Sequence, residues 1–145
     1  MPLRRDPRLR ALSSDHHRAL VLARRAAQAA DAGGAAAAEA WRALADTFAR
    51  ELEPHFAVEE QVLLPALREA GHGGLVDRTL EDHVALRAYT SADMEPAAGL
   101  RGFADRLTSH VRFEERELFE VAQRALPDGA LDAVAAAAER AQPAR

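Results

Sequence analysis

Two segments of this chain place a histidine four residues ahead of a glutamate: His55-Phe-Ala-Val-Glu59 and His110-Val-Arg-Phe-Glu114. Positions i and i+4 of a helix lie one above the other on a single face, so each pair can aim an imidazole and a carboxylate at one point. Nitrogen and oxygen donors held in that way suit a redox-capable divalent metal. The chain has no cysteine, which excludes disulfides, thiolate zinc sites, iron–sulfur clusters and thiol catalysis. Any metal must therefore be held by His, Asp or Glu.

The elements that would position these pairs are helical. Glycine and proline clusters punctuate the chain at Gly33-Gly34, Gly71 to Gly74, Pro96 to Gly99 and Pro127 to Gly129. Between them the apolar residues keep helical spacing, with no strand-like alternation. The spacing predicts helices over about 12–32, 35–69, 75–93 and 97–126, then a shorter alanine-rich helix over about 130–141. Ser13, Ser14 and Asp15 offer caps for the first. Pro54 and Pro65 should bend or break the second, with a kink just before His55. The expected fold is all-α: an up-down-up-down four-helix bundle over residues 12–126, preceded by a basic arm (1–11) and followed by a C-terminal helix and tail (127–145). The arm carries Arg4, Arg5, Arg8 and Arg10 and reads as a solvated end.

On the second helix the apolar seam runs Phe48, Leu52, His55, Glu59, Leu63, Leu67, and on the fourth Phe103, Leu107, His110, Glu114, Leu118, Val121. Both pairs thus fall on faces that should be buried, where a carboxylate is costly unless paired or bound to a cation. His83 continues the seam of Val76 and Leu80, and His16 that of Leu9 and Leu12. In an antiparallel hairpin, residues equidistant from the turn share a height. The midpoints between His16, the first pair, His83 and the second pair fall at about residues 36, 70 and 97, each at or near a predicted turn. One folding therefore brings four histidines and two glutamates into a central layer.

These residues, as Asp15-His16, His55 to Glu59, Asp82-His83 and His110 to Glu114 in order, resemble the hemerythrin-like, or HHE cation-binding, domains, over roughly residues 9–126. The resemblance implies a non-haem di-iron centre with an oxo or hydroxo bridge. Glu59 and Glu114 would bridge the metals, and His16, His55, His83 and His110 would be terminal ligands. Oxygen-carrying members have a second histidine one turn after the third-helix ligand, where this chain has Arg87. They also end in His-x-x-x-x-Asp, whereas here glutamates occupy both the fourth and the fifth position after His110. Those departures point away from simple reversible oxygen transport and toward sensing or detoxifying O2, NO or peroxide.

Other residues read more plainly. His17 is turned about 100° from His16 and is expected at the surface, replacing His16 only if the seam is misread. Glu60 and Glu115 are expected to flank the bridges and hydrogen-bond a ligand imidazole. Asp15 and Asp82 read as capping or surface acids, and His72 as solvent-exposed. Arg87 either reaches a bridging carboxylate or solvates its helix. Trp41 and Tyr89 read as bundle residues, with Tyr89 able to donate to a bound oxygen species if it lies near the layer. The C-terminal helix reads as a packing or dimerisation element, so a homodimer is a candidate assembly.

The net charge of −4 argues against nucleic acid as a partner. No apolar run reaches membrane-spanning length and the N-terminus has no apolar signal region, which makes a cytoplasmic location the expectation. The leading function is a metal-binding or sensing protein. The alternatives are an oxidative or peroxide-degrading di-iron enzyme, and a metal-free or mononuclear regulatory bundle. The same donors accept other divalent metals.

Overall fold

In a computed structural model, which describes residues 4–141, the chain is all-helical among the described residues. A short 3-10 turn, Pro7–Leu9, leads into α1 (Arg10–Ala32). The second predicted helix is divided into α2 (Gly34–Glu51), α3 (Glu53–Val58), a wide turn Glu59–Leu63 and α4 (Leu64–Glu69). Then follow α5 (Gly73–Ala88) and α6 (Pro96–Phe113), a second wide turn Glu114–Leu118, α7 (Phe119–Ala125) and α8 (Asp128–Arg140). Gly33 and Gly34 make the first reversal with φ of 67° and 53°, values that an L side chain resists. No described helix is long and apolar enough to cross a membrane.

The expected kink is present: the helix breaks at Leu52, two residues ahead of Pro54, so that His55 sits in a fresh first turn. α5 ends at Ala88, short of the expected residue 93. The first helix starts earlier than expected, because Asp6 caps the 3-10 turn by accepting from the Arg8 N–H. Ser13, read as a cap, instead donates to Glu115 at 2.8 Å. Residues 1–3 of the arm lie outside the described residues; Arg4 and Arg10 are exposed as expected, but Arg5 and Arg8 are not solvated ends. Arg5 donates to Gln123 and to the Glu115 carbonyl, both at 2.9 Å, and Arg8 reaches Asp6 and Asp128.

The two wide turns are the departure with most consequence. Leu64 N–H bonds back to the Glu59 carbonyl and Phe119 N–H to that of Glu114, each a five-residue step. Such π turns insert one extra residue and shift every later side chain around the axis. The predicted seam Leu118, Val121 is therefore displaced: Leu118, Phe119 and Ala122 are fully buried, while Val121 is only half-buried. The first wide turn also leads directly into Pro65, which has no N–H to contribute.

The core has two apolar clusters. One joins Leu9, Leu12, Leu63, Leu67 and Phe119 to Leu131 and Val134, so α8 is a packing element laid across this end of the bundle. The other joins the α1 alanines to Leu44, Phe48, Phe56, Leu86 and Phe103. Here Trp41 lies so close to Gly99 that a Cβ there would meet its ring at 2.5 Å. Between the two clusters lies a polar layer.

Candidate metal centre

That layer consists of His16 (α1), His55 (α3), Glu59 and Glu114 (the first residues of the wide turns), His83 (α5) and His110 (α6). All six are buried, and both glutamates are 0% exposed. They form two overlapping groups: His16, His55, Glu59 and Glu114, and Glu59, His83, His110 and Glu114. Within each group one donor atom per residue lies within 4.8 Å of the others. The two glutamates are common to both.

Contacts inside the layer are incomplete in an informative way. His16 Nε2 lies 2.7 Å from Glu114 Oε1, and His83 Nε2 lies 3.0 Å from Glu59 Oε1. His55 Nε2, His110 Nε2, Glu59 Oε2 and Glu114 Oε2 are buried with no hydrogen-bond partner. The nearest oxygen to His55 Nε2 is at 3.3 Å and to His110 Nε2 at 3.4 Å, both without bonding geometry. Buried polar atoms are normally paired. Four orphaned polar atoms, on imidazoles and carboxylates of one buried cluster, are what a bound cation would satisfy. The residues fit a metal site.

Every imidazole is held from behind by a carboxylate at Nδ1. Glu115 bonds His16 at 2.8 Å, Asp15 bonds His55 at 3.0 Å, Glu60 bonds His83 at 2.6 Å and Asp82 bonds His110 at 2.9 Å. The pattern is internally two-fold. The acid preceding each histidine of α1 and α5 holds the histidine of α3 or α6. The acid following each central glutamate holds the histidine of α5 or α1. Nδ1–carboxylate bonds fix ring orientation and leave Nε2 for a metal. Flat aromatic faces complete the support: Phe56 stacks on His83 at 3.9 Å and Phe119 on His16 at 5.2 Å.

Asp15 and Asp82 were read as capping or surface acids, and that reading is corrected: both are partly buried and bonded to the layer. Their signal in the sequence was the repeated Asp-His dipeptide, which no intrahelical argument can use because each Asp serves a histidine on another helix. Glu60 and Glu115 stand where expected. His17 is exposed, whereas His72, expected in solvent, is half-buried at the start of α5. Tyr89 is not at the layer. It packs in the apolar cluster 6.0 Å from Phe103, with its hydroxyl over Gly102.

The protonation pattern follows from this packing. Burial opposes charge on His110, but the Glu114 carboxylate and the bond to Asp82 outweigh it and push its pKa up to about 10. His55 is raised as well, burial being overcome by the Glu59 charge and by Asp15. For His16 burial is overcome by Glu114 and Glu115. Burial would raise the Glu114 carboxyl, yet His110 and its other partners hold it well below the ordinary range. The raised imidazoles and the depressed Glu114 carboxyl thus favour one another's charged forms.

The family model for the hemerythrin HHE cation-binding domain matches residues 8–122. The chain belongs to this family. Comparison with curated proteins and with solved structures finds no match. Within the hemerythrin-like frame, Arg87 reaches neither central glutamate. It donates to Glu53 at 2.8 Å and to Glu60 at 2.7 Å, and so anchors the carboxylate that holds His83. A cavity of about 10 Å³ adjoins His16, His55, His110 and Glu114 and is otherwise walled by Leu52, Phe56, Leu107 and Val111 among others. That is room for one water-sized molecule.

Proposed function

We propose that this hemerythrin-like chain carries a carboxylate-bridged di-iron centre, built in an up-and-down bundle of four helical rods, that binds and responds to O2, NO or peroxide. His16 and His55 would hold one ion, His83 and His110 the other, with Glu59 and Glu114 spanning both. The observation that carries this reading is the pair of four-donor groups sharing both glutamates. Two imidazoles and carboxylate oxygens per ion suit iron, and the absence of thiolate donors removes the softer alternatives.

Bound iron would supply exchangeable positions and one-electron chemistry. The protein's own part is positioning. Asp15, Glu60, Asp82 and Glu115 orient the rings, and the small cavity beside them admits molecules of a few atoms. The cavity that adjoins the layer among the described residues is water-sized, which favours a binding or sensing role toward very small molecules.

Loading the purified chain anaerobically with ferrous iron should give about two ions per chain, one for each donor group. Oxidation should then produce near-ultraviolet charge-transfer absorption that shifts on adding azide or NO. Well under one iron per chain would sink the reading. The orienting acids give a second expectation: Asp15→Asn and Asp82→Asn should each weaken metal binding by roughly 10–100-fold. Competition with a chromophoric chelator measures this, and affinities unchanged in both variants would count against those roles.

A further inference from the structure

A groove of about 460 Å³ runs along the seam of α1 and α2; none of the six layer residues lines it, although Glu51 on its wall also borders the small cavity at the layer. It exists because the walls are built of short side chains. Ala26, Ala40 and Ala43 leave the space open, and Leu22, Leu44 and Leu100 supply an apolar floor. Its volume is that of a small-molecule site.

The charges on its walls are one-sided. Arg18, Arg25 and Arg50 line it, against the single carboxylate of Glu51, in a chain whose net charge is −4. Arg18 is paired with Asp15 at 2.8 Å and Arg50 lies 3.5 Å from Glu51. Arg25 is exposed, lines the groove and has no ion-pair partner among the described residues. Arginine stems can lie along apolar walls while the guanidinium meets an anion at the rim. The interior offers Thr47 as its one neutral polar side chain, too few donors and acceptors for a nucleotide or sugar.

We infer that the groove between α1 and α2 binds a free alkyl carboxylate, its chain over Leu22, Ala26, Ala43 and Leu44 and its headgroup on Arg25. A chain of roughly ten carbons suits the volume, each buried methylene contributing about 0.8 kcal/mol. The site is separate from the metal reading and does not rest on it.

Calorimetric titration of the full chain with decanoate, below its micelle concentration, tests this. One saturable site is expected, equal in metal-free and iron-loaded protein. Decanol should bind about tenfold more weakly, because it lacks the charge that strengthens a hydrogen bond to guanidinium. Decyltrimethylammonium should not bind. Arg25→Glu should weaken decanoate about fivefold, the scale of an exposed ion pair. Ala43→Phe, at an exposed helix position that keeps the fold by circular dichroism, should abolish binding by filling the groove. The inference is overturned by no saturation, by equal binding of the cationic amphiphile, or by decanoate binding that survives Ala43→Phe. Capture on anionic lipid vesicles without a decanoate site would assign the arginines to a membrane surface instead, and a dimer that excludes decanoate would assign the groove to a second copy. Either result also overturns it.

Discussion

For the proposed two-ion centre, Glu114→Gln is expected to abolish binding of both ions, whereas His83→Ala should cost only one. Glu114 contributes to both donor groups, so weakening it removes an oxygen from each ion and the charge that offsets them. His83 belongs to a single group, and its loss leaves His16, His55, Glu59 and Glu114 together. Metal analysis after anaerobic loading should give near zero for the first variant and about one ion per chain for the second. Equal losses in the two variants would mean that Glu114 does not bridge. The metal-free Glu114→Gln protein should itself be less stable by roughly 3–5 kcal/mol, because the His16 and His110 cations would lose their buried counter-charge. Thermal unfolding read beside the metal content separates the two effects.

Metal-free and metal-loaded chains should respond differently to alkali. His110 has a folded pKa near 10 against an ordinary value of 6.5. A raised pKa means that the folded state holds the proton more tightly, so its stabilisation is complete below pH 6.5 and is lost as pH rises through about 10. His16 and His55 shift in the same direction. The metal-free chain should therefore lose stability on the order of a few kcal/mol between pH 7 and 10. Metal binding must displace those protons, so apparent affinity rises over the same window. The unfolding temperature of loaded protein should hold where that of the metal-free chain falls. Titration at pH 8 in buffers of different ionisation heat should show proton release on metal binding, and its absence would remove the imidazolium cations from the account. On the acid side the depressed carboxyls, Glu114, Asp15, Asp82, Glu60 and Glu115, work the other way. Their contribution is present above the ordinary carboxylate range and fades as pH falls through the lowered values.

Helical periodicity and turn residues were sufficient to locate the elements, because both are local. The Leu52 break was legible from Pro54, and the shared layer of His16, His55, Glu59, His83, His110 and Glu114 from equal distances to three reversals. The same reasoning misplaced the end of α5, which stops at Ala88, ahead of the polar run Thr90-Ser91. It also put Val121 on the buried seam, since a fixed 3.6-residue period has no way to register the extra residue of a π turn.

Determined by the sequence alone were the all-helical class, the exclusion of thiolate chemistry and the identity of six residues able to meet in one layer. Each follows from residue type and from spacing along a single rod. The tertiary structure alone decided what stands behind that layer. Asp15 serves His55 and Asp82 serves His110 across helix boundaries, Arg87 braces Glu60 rather than a central carboxylate, and Arg5 is docked rather than solvated. Those pairings depend on how rods are rotated about their own axes against one another. Rotation is set by packing of the two apolar clusters on either side of the layer, and no spacing within one helix encodes it.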